Sequence, residues 1–530
     1  MTDQSFDYIV IGGGSAGCVV AGRLAEESGG TVLLIEAGGE AEASPETLSA
    51  DGFKYAFAND KVMLDRMTVK QPACGDRPLY AGSGTVMGGS GSVNGMVYTR
   101  GDKQDFAAWP KGWQWQDITP AFAAIEDKLR VRHREATDFT DIAITAATEN
   151  GFKHKNSLND GELNGYIGYN DMNFEGDRRR NSYVAFVSEN NSEKLTVKTA
   201  ARVHRVVTEG SRAVAVECEQ DGNYQSIYAS REVIFCAGAL ETPKLLMLSG
   251  IGPGDNLRSV DVPVIRDIPA IGQNLHDHPN VCVFFQGRKP IDFAYPQLYG
   301  FTRCNKSLLL PEGQADTCIT FLAAPITVHQ SMYRMVPAMI LPGKLFFSKT
   351  LRFVIRKMLD GVFAIGKVRR FVDHVYGIVV ILGKPLSRGS MKLASNNVYD
   401  MAHIDPAYYS DPQDMQTMLN GVELIKKIAA SQTMREWGSK PLIPAVKGDN
   451  PERLKGWIRN ASMTTFHYCG TCRMGEDDQS PVDTRLKLKG FDNIRIADAS
   501  VMPEVPVSAT NAPSMMIGYR AADFIMQDNI

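Results

Sequence analysis

DYIVIGGGSAGCVVAGRLAEESGGTVLLIEAG, residues 7–38, is the stretch of sequence that decides the fold. An apolar run at 8–11 predicts a strand, an alanine-rich run at 16–27 predicts a helix, and residues 31–35 predict a second strand. A strand–helix–strand unit of this length is typical of the start of a parallel α/β domain.

The turn between the first strand and the helix carries a G-x-G-x-x-G pattern, at Gly12, Gly14 and Gly17. We expect Gly12 to permit the tight turn, Gly14 to let the backbone approach a pyrophosphate, and Gly17 to allow close packing of helix on strand. Ser15 and Ala16 begin the helix, whose free N–H groups favour phosphate binding.

The second strand ends at Glu36 and Ala37, about twenty residues beyond the glycines. An acid at this place can accept hydrogen bonds from the adenosine ribose hydroxyls. Together with both strands and the helix, it predicts a dinucleotide site. The motif by itself does not distinguish FAD from NAD.

Composition describes an ordinary globular enzyme, with 530 residues, 44% hydrophobic and 22% charged. The net charge of −3 gives no reason to expect a nucleic-acid partner. Nine scattered cysteines predict a reducing, cytoplasmic location rather than a disulfide framework. No apolar run is long enough to predict a spanning helix.

Beyond the first unit, residues 195–236 predict β structure and residues 242–248 a buried helix. From about 287 to 455 the sequence pattern changes: this region contains the strand-like runs ADTCITFLA and YGIVVIL and a predicted helix at 414–429. We therefore expect a second domain inserted into the first. The predicted boundaries give cofactor-binding parts at 1–160, 195–285 and 463–530, a substrate domain at 286–462, and a bridge at 161–194.

Six further motifs occur in a fixed order: GGSGSVNGMVYTRG (88–101), GALETPKLLMLSGIGP (238–253), IGQNLHDH (271–278), LSRG (386–389), HYCGTCRMG (467–475) and ADASVMPE (497–504). Together they resemble the glucose–methanol–choline (GMC) oxidoreductases, flavoproteins that oxidise alcohols. The resemblance implies an α/β composite with a Rossmann-like FAD-binding domain and an inserted substrate domain built on an antiparallel sheet with helices.

The same resemblance implies which residues contact FAD. Besides the first unit, the expected contacts are Gly88, Asn94, Gly95, Met96, Val97, Val203, Ala237, Phe466, Asp498, Ala499, Asn511 and Ala512. Some relatives attach FAD covalently to a histidine where this chain has Val93, so we expect FAD to be bound non-covalently. A basic residue common in the family is replaced here by Thr85.

His467 matches the catalytic histidine of the family. Alcohol oxidation transfers a hydride from carbon to flavin N5, while the hydroxyl proton must be taken up. An imidazole suits this role because its pKa lies near neutral pH and both ring nitrogens form hydrogen bonds. We therefore predict His467 as general base or hydrogen-bond donor to the substrate oxygen.

The second catalytic position departs from the family, because Ala509 stands where a histidine or asparagine is usual. Losing one such donor costs roughly 2–4 kcal/mol of transition-state stabilisation. Thr510, Ser508 or an ordered water can substitute, or His467 acts alone.

Several functions stay open at this point. The expected substrate is a small-molecule alcohol with an apolar body, and the electron acceptor is O2 or a quinone or dye, with motif wording favouring a dehydrogenase over an oxidase. A hydroxynitrile lyase with FAD as a structural group is the main alternative. A fatty-acid photodecarboxylase is disfavoured, since Thr320 is the nearest candidate for that branch's arginine. The sequence predicts neither the particular alcohol nor the oligomeric state.

Other signals favour structural interpretations. Cys469 and Cys472 lack a second metal-binding pair, and we predict no metal site. His276, Asp277 and His278 are interpreted as a structural turn. Cys318 is predicted to line the substrate cavity.

Residues 344–373 contain eight Lys or Arg against two Asp, with apolar residues at the spacing of an amphipathic helix, from Leu351 to Leu359. One interpretation is a lid of the substrate domain with a solvated basic face. The other is peripheral docking on an anionic membrane.

Overall fold

The computed structural model describes residues 4–341, 343–443 and 450–529. Its first sheet confirms the predicted strand–helix–strand unit. Its strands follow the order Leu195–Lys198, Val32–Ile35, Ser5–Ile11, Asn223–Phe235, Arg212–Gln220 and Ala201–Glu209, and Ile494–Ile496 also pairs with Asn223–Phe235. Pairing is parallel up to Asn223–Phe235, and the last two strands are antiparallel. Residues 8–11 and 32–35 are buried throughout, as expected for strands covered on both faces.

Helices Ser15–Glu27 and Asn511–Asp528 pack against each other on this sheet. At their contact a Cβ on Gly518 would lie 2.6 Å from the carbonyl oxygen of Ala16. The first and last parts of the chain therefore meet in space, as the predicted insertion of a second domain requires.

The second sheet is built from the middle of the chain. Its order is Lys440–Ile443, Pro279–Gln286, Val375–Leu382, Thr317–Ala323, Leu298–Thr302, Tyr166–Tyr169 and Lys153–His154, and Met463–Thr464 also pairs with Pro279–Gln286. All pairs are antiparallel except Lys153–His154 with Tyr166–Tyr169. The predicted composite of a Rossmann-like domain and an antiparallel inserted domain is confirmed.

The remaining larger helices cover these sheets. They are Phe53–Ala58, Lys103–Ala107, Trp115–Leu129, Asp138–Thr148, Gly238–Leu248, Gly254–Ser259, Pro412–Ala429, Gln432–Trp437 and Pro451–Ala461. The predicted helices at 242–248 and 414–429 are thus present, and each begins earlier than predicted.

Strand pairing shifts the predicted domain boundaries. Pro279–Gln286, predicted to belong mostly to the cofactor-binding part, pairs in the second sheet, so the change of sheet falls before Pro279 rather than at 286. Lys153–His154 and Tyr166–Tyr169 also join the second sheet. The strand at 153–154 is too polar and too brief to be recognised from its own sequence, and the strand at 166–169 is too brief.

Residues 324–373, here called the lid, connect two adjacent strands of the second sheet, Thr317–Ala323 and Val375–Leu382. The lid contains helices Ala324–Ile340, Lys349–Ala364 and Gly366–Val372. The amphipathic helix is present, but its predicted solvated basic face is wrong for Arg352, which is only 6% exposed because it pairs with acids of the protein body. Among the described residues, no helix has the length and apolar character needed to cross a bilayer.

Candidate functional site

A cavity of about 560 Å³ lies where the carboxyl ends of the first-sheet strands meet the second sheet. Its wall contains the predicted catalytic residue His467 and all the predicted cofactor contacts except Gly17, Gly88, Met96 and Ala512. Those four are packed behind the wall instead. Met96 and Ala512 are fully buried, and a Cβ on Gly88 would lie 2.2 Å from the Ser92 hydroxyl oxygen.

The glycine turn leaves room for a ligand at one position. Gly12 has φ +105°, and a Cβ there would lie 2.6 Å from the Cys236 carbonyl oxygen. A Cβ on Gly17 would lie 1.9 Å from the Gly12 carbonyl oxygen, so helix and strand pack too closely for any side chain. A Cβ on Gly14, in contrast, would have one neighbour at 4.0 Å, and no side chain caps the helix that follows. The free N–H groups of this helix therefore face open space that fits a pyrophosphate.

Two carboxylates hold the turns around this space. Glu36 accepts hydrogen bonds from the backbone N–H groups of Gly13 (2.8 Å) and Gly38 (2.7 Å). Burial raises the pKa of Glu36 more than these hydrogen bonds and Arg202 lower it. Asp498 accepts a hydrogen bond from the Gly238 backbone N–H (2.9 Å) and burial raises its pKa. Both residues line the cavity and are positioned for a ribose or a phosphate chain.

The glycine-rich loop at 88–97 is held by Arg179, which sequence reasoning missed. Arg179 is fully buried, and its guanidinium donates to the carbonyl oxygens of Gly91 (2.9 Å) and Asn94 (2.7 Å) and to the Asn94 side chain (2.7 Å). Burial lowers the pKa of Arg179 to about 9. Of the three consecutive arginines at 178–180, Arg179 thus holds the loop. The contact with Gly91 joins residues 88 positions apart, so no local sequence pattern predicts it.

Positive charge at the cavity comes from residues other than position 85, where the family commonly has a basic residue and this chain has Thr85. Thr85 lines the wall, and so do Arg66 and Arg202. Arg66 is held by Glu241 (2.9 Å) and by the Ser83 hydroxyl (2.9 Å). These two arginines can supply the cation that Thr85 lacks.

The segment that contains His467 is hydrogen-bonded through its backbone to residues 276–280. Cys469 and His276 exchange backbone hydrogen bonds of 3.0 and 3.2 Å, and the Thr465 N–H donates to the His278 carbonyl oxygen (3.0 Å). The carboxylate of Asp277 accepts from the backbone N–H of His467 (2.6 Å). Phe466, just before His467, has φ +62°, so the backbone is held in a conformation that side chains rarely adopt.

Asp277 is buried and also accepts hydrogen bonds from the hydroxyl groups of Tyr408 (2.6 Å) and Thr464. Burial raises the pKa of Asp277 to about 6, although these hydrogen bonds act to lower it. Residues 276–278 form no turn: His276 pairs with Cys469 in an isolated antiparallel bridge, and the carboxylate of Asp277 positions the backbone of His467.

His278 is the direct partner of His467, which sequence reasoning did not predict. The Nδ1 atoms of the two imidazoles lie 2.9 Å apart, with their rings nearly perpendicular. Removal from bulk water lowers the pKa of His467 to about 4, and burial together with His467 lowers the pKa of His278 well below its usual value. Both rings are therefore neutral at neutral pH, and one donates to the other through Nδ1. This leaves Nε2 of His467 for the cavity.

Ala509 lines the cavity as the sequence indicates, and two of its proposed substitutes differ in placement. Ser508 is buried behind the wall, where its hydroxyl accepts a hydrogen bond from Thr99 (3.3 Å). Thr510 lies on the wall, and so does Tyr299 of the second sheet. Of the proposed substitutes, Thr510 therefore has its place on the wall, and Tyr299 is one of the other hydroxyl-bearing residues there.

The outer part of the cavity is aromatic. Phe57, Phe466 and Phe53 line it, and Tyr80 packs behind them with ring centroids about 6 Å from Phe57 and Phe466. Ser331, from the first lid helix, completes this wall. The arrangement favours an apolar group on the substrate.

Other sequence signals fall outside this chemistry. Cys318, predicted to line the cavity, is buried instead in an apolar cluster with Phe301 and Tyr299, of which only Tyr299 reaches the wall. Cys469 and Cys472 are buried free thiols, and burial raises the pKa of both. Within the described ranges, no group of three His, Cys, Asp or Glu residues is placed to hold a metal ion.

The chain is similar to known proteins in family, in sequence and in structure. The family described as GMC oxidoreductase matches residues 6–280 with its N-terminal part and residues 385–518 with its C-terminal part. An alcohol dehydrogenase [acceptor] of Pseudomonas putida is 29% identical over 98% of this chain and 96% of its own. The choline oxidase of Arthrobacter globiformis is 30% identical over 99% of this chain and 95% of its own.

Among solved structures, pyridoxine 4-oxidase from Mesorbium loti superposes with a TM-score of 0.84. It is 26% identical, and the match covers 98% of each chain. The likeness therefore extends over both sheets.

Proposed function

The chain belongs to the GMC oxidoreductase family, and on that premise we propose that it is an FAD-dependent enzyme that oxidises an alcohol with an apolar body to an aldehyde or ketone. The observation that carries this proposal is the placement of a neutral imidazole, His467, in the wall of a cavity that also contains the dinucleotide turn.

The residues present fit FAD. The open space at Gly14 and the uncapped helix after it would hold the pyrophosphate, with Glu36 and Asp498 beside it. The loop at 88–97, fixed by Arg179, would lie against the ring system. Val93 cannot form the covalent histidine link known in some relatives, which supports non-covalent binding. When bound, FAD supplies the hydride acceptor.

His467 takes the proton that alcohol oxidation releases. Its backbone is fixed by Asp277, its Nδ1 is engaged by His278, and its Nε2 is the nitrogen left for a substrate hydroxyl. Because desolvation keeps the ring neutral, Nε2 can accept a proton when His467 donates through Nδ1. His278 touches neither substrate nor cofactor in this scheme and is a positioning residue. Thr510 or Tyr299 would supply the second hydrogen bond that Ala509 cannot.

The experiment is anaerobic mixing of the purified flavoprotein with a series of primary and secondary alcohols of increasing apolar length. We expect the flavin absorbance to bleach, with affinity increasing as the apolar part grows. Re-oxidation of the reduced protein by O2 is then compared with re-oxidation by a quinone or dye, and we expect the quinone or dye to be faster.

The alternative from a different class is a hydroxynitrile lyase, in which the same imidazole moves a proton and the flavin stays oxidised. Cleavage of a cyanohydrin without bleaching by any alcohol would select it and overturn the proposal.

A further inference from the structure

The helix Lys349–Ala364 buries arginine side chains against the protein and exposes apolar side chains to solvent, the reverse of an ordinary surface helix. Arg352 is 6% exposed and Arg356 is half-buried, whereas Phe353 is 60% exposed and Met358 is 65% exposed. In a soluble amphipathic helix the charged face lies in water and the apolar face on the core. Here Arg352 and Arg356 face the protein, whereas Phe353 and Met358 face outward.

The inward face is held by an ion-pair cluster. Arg334 of the first lid helix and Arg352 both pair with Asp65, and Arg356 pairs with Asp60 at 2.7 and 2.9 Å. Burial acts to raise the pKa of Asp60, but the hydrogen bond from Arg356 and the three arginine charges outweigh it and lower that pKa. The guanidinium groups therefore stay paired, and the orientation of the helix is fixed.

The outward face forms a continuous apolar stripe. Leu351, Val354, Met358, Val362 and Ile365 are all exposed, and they recur every three or four residues. This spacing places them on one side of the helix. A contiguous exposed apolar surface of this kind marks an interaction site.

On the helix that carries the stripe and on the helix that follows it, the exposed charges are cationic. Lys349, Lys357, Lys367, Arg369 and Arg370 are exposed, and none of the acidic residues in the described part of 343–373 is exposed. Asp360 is held by His329 (3.2 Å) and Tyr333. The chain as a whole carries a net charge of −3, so this surface has the opposite sign to the molecule.

We propose that the lid docks on an anionic lipid surface, with the apolar stripe entering the headgroup region and the surrounding lysines and arginines contacting lipid phosphates. Apolar side chains and cations on one face are the combination that binds an anionic interface. A protein partner with an apolar patch would not by itself explain the cationic rim.

Docking also bears on the substrate, and this part rests on the proposed alcohol oxidation. Ser331 of the first lid helix lines the cavity together with Phe57 and Phe466. The helix that carries the apolar stripe, Lys349–Ala364, packs on that lid helix. An apolar alcohol dissolved in the membrane would therefore be held next to the part of the protein that covers the cavity.

The test is co-sedimentation of the full-length FAD-containing protein with vesicles of phosphatidylcholine alone or of equal parts phosphatidylcholine and phosphatidylglycerol. We expect binding to the anionic vesicles, weakened by salt, and at least about tenfold less binding to the neutral ones. Val354→Ser with Met358→Ser, and separately Lys367→Glu with Arg370→Glu, should each reduce binding about tenfold or more.

The control is Leu309→Ser, which removes an apolar side chain that is 98% exposed outside the lid. It should leave vesicle binding unchanged, and flavin content and melting temperature check that all variants are folded. No binding of the unmodified protein, or equal loss in the control, would overturn the proposal. So would dimers in sedimentation velocity that the stripe variant dissociates, since the stripe would then bind a second copy.

Vesicle binding and alcohol turnover are separate readouts. A protein that binds anionic vesicles but is reduced by no alcohol would retain the docking surface and lose the proposed function. Bleaching by a water-miscible alcohol without vesicle binding would support the proposed alcohol oxidation and overturn the proposed docking surface.

Discussion

Two imidazoles, His278 and His467, meet through their Nδ1 atoms at 2.9 Å, and this contact determines which nitrogen of His467 is left for chemistry. Desolvation keeps His467 neutral, so the residue is ready to accept a proton through Nε2 without first losing one. Asp277, the neighbour of His278 in the chain, fixes the backbone of His467.

The pH profile of flavin reduction follows from these pKa shifts. A lowered pKa of about 4 means that His467 stays neutral across the neutral range and is protonated only as the pH falls through about 4. We expect the rate of anaerobic reduction to be flat at neutral pH and to fall only in acid. Because Asp277 has a pKa of about 6, any shallow change near that pH should disappear in Asp277→Asn. An inflection near the ordinary histidine pKa of about 6.5 that persists in Asp277→Asn would contradict this.

Substitution of His278 tests its positioning role. His278→Phe removes the Nδ1 hydrogen bond, and we expect flavin reduction to slow about tenfold, the effect of one neutral hydrogen bond. The dissociation constant for alcohol should change little, and His278→Gln, which can donate or accept, should recover part of the rate. An increase in that dissociation constant with an unchanged reduction rate would contradict the assignment.

At the scale of elements, the features predictable from sequence are those set by local pattern. The apolar runs at 8–11 and 32–35, and the helix begun by Ser15, follow from residues adjacent in the chain, and the structure confirms them. The prediction for Cys318 is wrong, because strand alternation gives the face on which a residue lies but not the side chains, here Phe301 and Tyr299, that pack against it. The helix at 349–364 was recognised as amphipathic, but its direction depends on Asp60 and Asp65, far away in sequence.

Arg179 illustrates the same limit at the cofactor loop, and its removal gives a prediction. Arg179→Met leaves the buried carbonyl oxygen of Gly91 without a donor, at a cost of roughly 1–3 kcal/mol, and removes the donor to the half-buried carbonyl oxygen of Asn94 at a smaller cost. We expect weaker FAD retention on dilution and a melting temperature lowered by several degrees.

The matched control is Arg178→Met. Arg178 is the exposed neighbour of Arg179, and its ion pair with Glu189 spans 3.6 Å at the surface. It should behave like the unmodified protein. Equal loss of FAD from both variants would show that Arg179 has no special role in holding the loop.

At the scale of the whole molecule, the cavity is assembled from parts far apart in the chain. The glycine turn near residue 14, the loop at 88–97 and the segment at 464–469 belong to different parts of the sequence and meet between the two sheets. Motif resemblance could place His467 and the glycines in one site. It could not show that His278 and Arg66 join them, because those contacts arise only after the sheets have packed.

The ion-pair cluster under the lid should control how firmly the lid is held to the body. Arg334 is fully buried, and Arg334→Met leaves Asp65 with one arginine partner fewer. Leaving a buried charge without any partner costs roughly 3–5 kcal/mol, and we expect a smaller loss here because Arg352 still pairs with Asp65. We expect limited proteolysis to cut within 324–373 faster in this variant, while FAD content is unchanged. Cleavage first within the first sheet would contradict this.

The most direct measurement is stopped-flow anaerobic reduction of the FAD-containing protein by an apolar alcohol, comparing His467→Ala with the unmodified enzyme and with the exposed-site control His403→Ala. We expect reduction to slow by a factor of about 100 or more in His467→Ala, with the flavin still bound, and to be unchanged in His403→Ala. Full reduction rate in His467→Ala would contradict the assignment of His467 as the group that takes the alcohol proton.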